Sequence, residues 1–82
     1  MGVLKLKYDD HAQWKGKRLR IARNGDVFRG IMKGLAESIM AVGPTETLHP
    51  WLLQTDSGAT VDFLPEGQGW EITEEIAGGF KD

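Results

Sequence analysis

Apolar and polar residues alternate along most of this chain with a period of two, which is the pattern of strands that bury one face. Leu4 and Leu6 alternate with lysines, and Leu19 and Ile21 alternate with arginines. Similar runs, bounded by glycine and proline, continue through the rest of the chain. The predicted strands cover residues 4–8, 18–21, 27–32, 38–42, 51–55, 59–63 and 70–73.

Two tight turns set the register of two predicted hairpins. Asn24-Gly25 is a strong hairpin signal, because both central residues of a type I′ turn need a positive φ. A two-residue loop here places Ile21 opposite Phe28 and Arg20 opposite Arg29. In this register Leu19, Ile21, Phe28, Gly30 and Met32 share the core face.

The second hairpin is predicted across Asp56-Ser57-Gly58, with Gly58 in the left-handed region. This turn sets Trp51 opposite Phe63 and Leu53 opposite Val61 on one inner face. The segment from Gly43 to Pro50 is expected to be a loop, since it has a proline near each end.

Other local signals predict one helical turn and one strong bend. Asp9-Asp10 offers an N-cap for one or two turns through residues 11–14, and Gly16 stops them. Gly30 and Gly34 interrupt a long extended run, which is typical of a strand that curls around a small barrel.

These elements predict a mainly β fold, a small five- to six-stranded SH3-like barrel with one short N-terminal helical turn. An OB-like or Sm-like arrangement is the alternative. Residues 1–73 are expected to form a single barrel domain, and residues 74–82 an acidic, mobile tail.

Residues 16–73 resemble the small SH3-like domain of biotin–protein ligases, which implies the same fold. The likeness is carried by Gly16-Lys17-Arg18-Leu19-Arg20-Ile21, Asn24-Gly25, Phe28-Arg29-Gly30-Ile31 and Asp56-Ser57-Gly58. Residues 30–40 are also similar to the first motif of Sm-like RNA-binding proteins. Because the Asp and the Met-Asn pair of that motif are missing here, no RNA-contacting residue is carried over.

Length and composition narrow the class of protein. The chain has 82 residues, which is enough for one domain, because a second hydrophobic core would need roughly 50 residues of its own. With no cysteine it has no disulfide framework, thiolate nucleophile or Cys-based zinc site. No apolar run approaches the ~18 residues of a spanning helix, and the N-terminal apolar stretch is too short for a signal peptide. We expect a cytoplasmic protein with no membrane partner.

Charge is divided unevenly along the chain. Residues 1–33 carry nine Lys or Arg and three Asp, whereas residues 34–82 carry nine acids and one lysine. One interpretation is that strands of the two halves pair and neutralise each other. The others are an anionic partner on the basic half, or association of two copies.

The first hairpin concentrates the basic residues. Arg18, Arg20, Arg29 and Lys33 fall on the face opposite the core, and like charges placed directly opposite on a sheet cost about 0.2–1 kcal/mol. We expect an anion beside them, unless these hydrated side chains splay apart. The anion would be an acidic partner, the chain's own Glu-rich tail or that of a second copy, or phosphate. The candidate binding residues are Arg18, Arg20, Arg29, Lys33, Lys17 and Trp14.

Nucleic-acid binding would also need exposed aromatic rings for base stacking. Trp51 and Trp70 are predicted to lie in the core by their alternation, and Trp14, next to Lys15 and Lys17, is the ring expected to be partly exposed. The net charge of −2 disfavours binding that depends on phosphate neutralisation.

No motif predicts catalysis or a cofactor. Asp9-Asp10-His11 is interpreted as a helix cap rather than a metal site, because adjacent residues on a turn rarely point at one centre. Neither a nucleophile elbow nor a phosphate-binding loop is present. The sequence predicts a non-enzymatic binding or adaptor module without a cofactor, whose basic hairpin face binds an acidic protein or its own tail. A nucleic-acid-binding barrel is the alternative, and the size also suits an accessory protein of a phage or mobile element.

Overall fold

Most of the chain between residues 4 and 75, the part that the computed structural model describes, is strand and tight turn. The predicted mainly β class and the single short helix are confirmed. The elements are a 3-10 turn (Tyr8–Asp10), α1 (His11–Trp14), β1 (Arg18–Arg23), β2 (Asp26–Leu35), β3 (Met40–Ala41), β4 (Thr47–Leu48), β5 (Trp51–Thr55), β6 (Thr60–Phe63) and β7 (Glu71–Glu74).

Five strands form one antiparallel sheet in the order β6-β5-β2-β1-β7, and β3 pairs with β4 in a small separate ribbon. Strands β6 and β7 are the outer strands, so between residues 4 and 75 hydrogen bonds do not close the sheet into a barrel. The sheet is nevertheless strongly curled. Four strand spacings would hold its edges about 19 Å apart if it were flat. Yet the ring of Phe63 in β6 lies 6.4 Å from the ring of Trp70, just before β7.

The first hairpin has the predicted register. Ile21 lies opposite Phe28, Arg20 lies opposite Arg29, and the turn is the two-residue Asn24-Gly25 loop. Both turn residues have positive φ, 53° and 88°, as a type I′ turn requires. The alternation deduced from the sequence therefore holds through the whole of β1.

The second hairpin also has the predicted register. Trp51 lies opposite Phe63, Leu53 lies opposite Val61, and Gly58 has a φ of 94°. The amide of Thr55 donates to the carbonyl of Ala59 and closes the turn.

The bounds of several predicted strands differ from the structure. The strand expected over residues 38–42 shrinks to the two residues of β3, and its partner β4 lies inside the expected loop from Gly43 to Pro50. The last strand begins one residue later than predicted.

The expected strand over residues 4–8 is reduced to one bridge between Leu4 and Ile72. It ends early because polar contacts turn the chain: the amide of Tyr8 donates to Glu66 and that of Lys7 donates to the Asp10 carboxylate. Asp10 stands at the N-cap of α1, but its side chain makes no capping bond to that helix.

The boundary of the predicted tail also changes. Glu74 belongs to β7, and the amide of Glu75 donates to the carbonyl of Arg18 at 2.9 Å. These two residues therefore belong to the sheet and are not tail. The remainder of the predicted mobile tail, residues 76–82, lies outside the described residues.

The core occupies the concave side of the curled sheet. Its fully buried members are Leu19, Ile21, Met32, Trp51, Leu53 and Phe63. Leu6 and Ile72 complete this buried cluster, so the N-terminal segment also contributes to it. Within residues 4–75, no polar or charged side chain is buried. The fold is therefore held mainly by apolar burial.

Two glycines allow β2 to bend between its neighbours. A Cβ on Gly30 would overlap the backbone carbonyl of Gln54 in β5. Gly34 has a φ of 109° and follows the point where the pairing with β5 shifts register. The bend predicted from these two glycines is therefore present, and Gly30 owes its place to the close approach of two backbones.

No helix between residues 4 and 75 is long and apolar enough to cross a membrane.

Replacing Gly30 by alanine should destabilise the fold by about 3 kcal/mol or prevent folding, because the added methyl must displace the β5 backbone rather than a side chain. Urea unfolding of the purified protein measures this loss.

Gly43→Ala is the matched control. The methyl there would meet only the flexible side chain of Glu46, so we expect a change within about 0.5 kcal/mol. Equal stability of wild type and Gly30→Ala would contradict the close approach of β2 to β5.

Candidate functional site

Four basic side chains lie on the convex side of the sheet, opposite the core. This surface, formed by Arg18, Arg20, Arg29 and Lys33, is called the basic face below. Leu19 and Ile21 are buried on the concave side, so the alternating residues of β1 must point the other way. The structure thus brings together the four residues that the sequence placed on one face.

Arg18 binds two carboxylates from distant parts of the chain. Its Nη1 and Nη2 atoms each lie 2.9 Å from one oxygen of Asp56, a bidentate fork. Nη2 also lies 3.3 Å from Oε1 of Glu75, and Nε of Arg29 lies 3.2 Å from Oε2 of the same residue. These four side chains are called the charge network below.

Backbone hydrogen bonds hold the two carboxylates in place. Asp56 begins the turn after β5, and its amide donates to the carbonyl of Arg29 at 3.1 Å. Glu75 follows β7, and its amide donates to the carbonyl of Arg18 at 2.9 Å. Each acid therefore follows a strand that neighbours the arginine strands: Asp56 follows β5, which pairs with β2, and Glu75 follows β7, which pairs with β1. This matches the interpretation in which the two halves of the chain neutralise each other.

The ion pairs shift the proton affinities of both partners. The hydrogen bond from Arg18 holds the pKa of Asp56 below its ordinary value, against an opposing effect of desolvation, and the charges of Arg18 and Arg29 add to the lowering. The hydrogen bond to Asp56 raises the pKa of Arg18. Since the Asp56 side chain is 58% exposed, water screens this interaction, and other ions can reach it.

The other cations of the candidate site have no such partner within residues 4–75. There, Arg20, Lys33 and Lys17 form no ion pair. Arg20 sits directly opposite Arg29, and Lys33 lies further along β2. Lys17 is exposed just before β1, and its carbonyl accepts a hydrogen bond from the amide of Met32. Arg18 and Arg29 therefore form the occupied half of the basic face, because they bind carboxylates of the chain. Arg20 and Lys33 form its accessible half, because they have no ion pair within residues 4–75.

The tryptophans belong to the concave side rather than to the basic face. Trp51 is fully buried, as predicted. Trp70 is half-buried against the core, with the guanidinium of Arg23 stacked 4.1 Å from its ring. Trp14 is partly exposed, as predicted, and the rest of its side chain packs against the core. Within β1, β2 and β5, no aromatic residue points to the convex side.

A second surface feature is a groove of about 590 Å³ between the β3–β4 ribbon and the turn after β6. The residues that line it, called the groove below, are Tyr8, Met40, Ala41, Val42, Leu48, Leu64, Pro65, Glu66, Gly67 and Gln68. The sequence does not predict this groove, because the apolar pattern of residues 38–42 indicates only a strand. Val42 and Ile39 are in fact exposed.

The two histidines lie apart from the basic face. Nδ1 of His49 lies 2.9 Å from the carbonyls of both Ala36 and Ser38, so the Nδ1–H tautomer donates to them and holds the turn after β2. Within residues 4–75, no three His, Asp or Glu side chains are grouped as metal ligands would be.

Comparison with protein-family models, with curated proteins and with solved structures finds no match to this chain. The resemblance to the biotin–protein ligase domain stays a prediction.

Replacing Asp56 by asparagine should lower the urea midpoint at neutral pH and leave it almost unchanged in acid. The native state holds the pKa of Asp56 low, so the ionised form stabilises the fold at neutral pH. That contribution is lost as the pH falls through the lowered pKa. Unfolding curves at pH about 7 and about 2.5 measure the difference.

Asp26→Asn is the control, since Asp26 is exposed in the first hairpin, at the start of β2, and forms no ion pair within residues 4–75. If the urea midpoints of wild type and Asp56→Asn differ by the same amount at both pH values, this result contradicts a stabilising role of the ionised carboxylate.

Proposed function

We propose that this chain is a non-enzymatic protein-binding module whose basic face binds the carboxylates of an acidic protein segment. The observation that supports it is the charge network. Two arginines of the basic face already hold carboxylates that come from residues 38 and 57 positions away from Arg18. The face is therefore a carboxylate site by its own geometry, and within the chain Asp56 and Glu75 occupy it.

The geometry favours carboxylates because Arg18 and Arg29 present guanidinium groups of fixed shape. A guanidinium binds a carboxylate through two parallel hydrogen bonds, as it does with Asp56. Exposed ion pairs of this kind contribute only about 0–1 kcal/mol, so an incoming acid can replace an internal one at low cost. The carboxylates of Asp56 and Glu75 thus keep the arginine side chains ordered, and an incoming carboxylate can still replace them.

The accessible half of the face would make the first contact. Arg20 and Lys33 form no ion pair within residues 4–75 and flank the charge network on the same side of the sheet. A segment with several acids could contact both while it competes with Glu75 for Arg29. We propose that this curled sheet is a relative of the small SH3-like barrels.

Nucleic acid is the less favoured ligand. Stacking on exposed aromatic rings supplies about 1–3 kcal/mol per base in single-strand binders. Strands β1, β2 and β5 point no aromatic ring to the convex side, and the net charge is −2. The experiment below therefore includes an oligonucleotide as a competing probe.

A fluorescein-labelled peptide of about ten glutamates should bind the protein, with an affinity that falls as salt is added. The double variant Arg20→Gln with Lys33→Gln should weaken binding roughly fivefold, because two cations that form no ion pair within residues 4–75 are lost. Glu75→Gln should strengthen binding roughly twofold, because Arg29 loses its internal competitor. Fluorescence anisotropy titrations measure both changes.

Two variants serve as matched controls. The double variant Lys5→Gln with Lys7→Gln and the single variant Glu46→Gln change the net charge by the same amounts at exposed positions away from the basic face, and they should leave the affinity unchanged. Equal weakening by Lys5→Gln with Lys7→Gln would mean that only net charge matters. Preference for a labelled oligothymidine over the glutamate peptide would overturn the proposal in favour of nucleic acid.

A further inference from the structure

A cleft opens where the second hairpin turns away from the first. Strand β5 pairs with β2 only between Gly30 and Leu35, and beyond Gly30 the turn that begins at Asp56 leaves the sheet. The space left beside the start of β2, called the cleft below, has a volume of about 400 Å³, which is within the range of ligand sites. Its lining includes Val27, Phe28, Arg29, Asp56, Ala59 and Val61.

The cleft contains a short unpaired stretch of the β2 backbone. The carbonyl of Arg29 accepts from the amide of Asp56, so it points to the side of β2 on which β5 lies. Backbone groups of alternate residues in an antiparallel strand point to the same side, so the N–H and C=O of Val27 also point there. Within residues 4–75, no backbone group bonds to Val27 on that side. An extended segment can therefore add to β2 at this point.

The concave side of this free stretch is apolar. Phe28 and Val61 line the cleft from this side, where both are half-buried and pack against the core. The ring of Phe28 lies edge-on to that of Trp70, with 6.2 Å between the ring centroids. An apolar side chain that enters the cleft here meets a surface that is already packed and rigid.

The convex side of the same stretch is basic. Arg29 lines the cleft, and its side chain is 57% exposed although it contacts Glu75. Arg20 lies directly opposite Arg29 and forms no ion pair within residues 4–75. Asp56 also lines the cleft, but both of its carboxylate oxygens accept hydrogen bonds from Arg18. The charge left for a ligand on this side is therefore positive.

We propose that the cleft binds an extended partner segment in which acidic and apolar residues alternate, and that this segment adds as a strand beside residues 26–28 of β2. The inference rests on the proposed function, because it specifies the form of the acidic partner. Successive side chains of a strand point to opposite sides. The acids of the segment therefore face Arg29 and Arg20, while its apolar residues face Phe28 and Val61. Charge complementarity accounts for the acids, and the free backbone groups account for the extended conformation.

Two peptides of equal composition and different order test the inference. The alternating peptide is Glu-Val-Glu-Val-Glu and the block peptide is Glu-Glu-Glu-Val-Val, each labelled with fluorescein and flanked by glycines. Only the alternating peptide places its acids and its valines on opposite sides of a strand. In anisotropy titrations with the full chain, it should bind at least about fivefold more tightly than the block peptide. Equal affinities would overturn the inference.

One variant of the protein tests whether the peptide enters the cleft. Ala59→Asp adds a carboxylate to the cleft lining and should weaken the alternating peptide at least about tenfold, but the block peptide less than about twofold. Ala41→Asp is the matched control, because Ala41 is also exposed and lines the groove instead of the cleft. Equal weakening by the two variants would mean that only net charge matters, and would overturn the inference.

Methylation of the peptide's own amides tests the addition of a strand. Alternate amides of a strand point to the same side, so one alternate set faces β2 and the other faces away from it. Methyl groups on the first set should weaken binding at least about tenfold, and methyl groups on the second set should change it less than about twofold. If both methylated peptides bind equally, the segment does not add to β2.

The peptide of about ten glutamates separates the failure of this inference from the failure of the proposed function. If that peptide, the alternating peptide and the block peptide all bind alike and all weaken in Arg20→Gln with Lys33→Gln, the carboxylate-binding face remains and the inference is wrong. If the alternating peptide binds with an affinity that neither salt nor Arg29→Gln changes, the cleft recognises apolar segments alone. That result would overturn the proposed function and the inference together.

Sedimentation velocity of the full chain tests for a different occupant of the cleft. We expect the wild type to remain a monomer at the concentrations of the titrations. A wild-type dimer that Ala59→Asp dissociates and Ala41→Asp does not would mean that a second copy fills the cleft, and would overturn the inference.

Discussion

The close approach of β2 to β5 at Gly30 is the constraint on which the rest of this structure depends. Strand β2 is central, with β1 on one side and β5 on the other, and at Gly30 there is no room for a Cβ beside the β5 backbone. Because the strands meet so tightly there, the sheet curls until Phe63 and Trp70 at its two edges are in contact. The curl encloses the core and turns the alternate side chains of β1 and β2 outwards.

Basic side chains are concentrated on that outward face, and the curl of the sheet determines which carboxylates lie beside them. One carboxylate follows β5 and one follows β7, the strands that pair with β2 and β1, and both reach Arg18. Acidic and basic halves of the sequence are therefore interleaved by strand order rather than separated in space. The balance is incomplete within the described residues, because Arg20 and Lys33 form no ion pair there. This unequal balance is what makes the face a candidate for binding.

Much of the local structure follows from the sequence alone. Asn24-Gly25 and Gly58 fix two turns through their backbone preferences, and the period-two pattern then fixes which residues lie on each face. The four residues of the basic face could therefore be predicted by register, and so could the burial of Trp51. These features depend on residues that are close in sequence or on one tight turn, where steric limits on the backbone determine the conformation.

Only the tertiary structure decided which groups meet across the sheet. Asp56 and Glu75 reach Arg18 because β5 and β7 end beside the same two strands, and no local pattern contains that information. Part of Trp14 packs against the core, and residues 40–42 line a groove where the sequence predicts a strand over residues 38–42. In each case the local pattern fits more than one environment. Burial and ion pairing are interactions between distant segments, so the choice is made only when the whole chain packs.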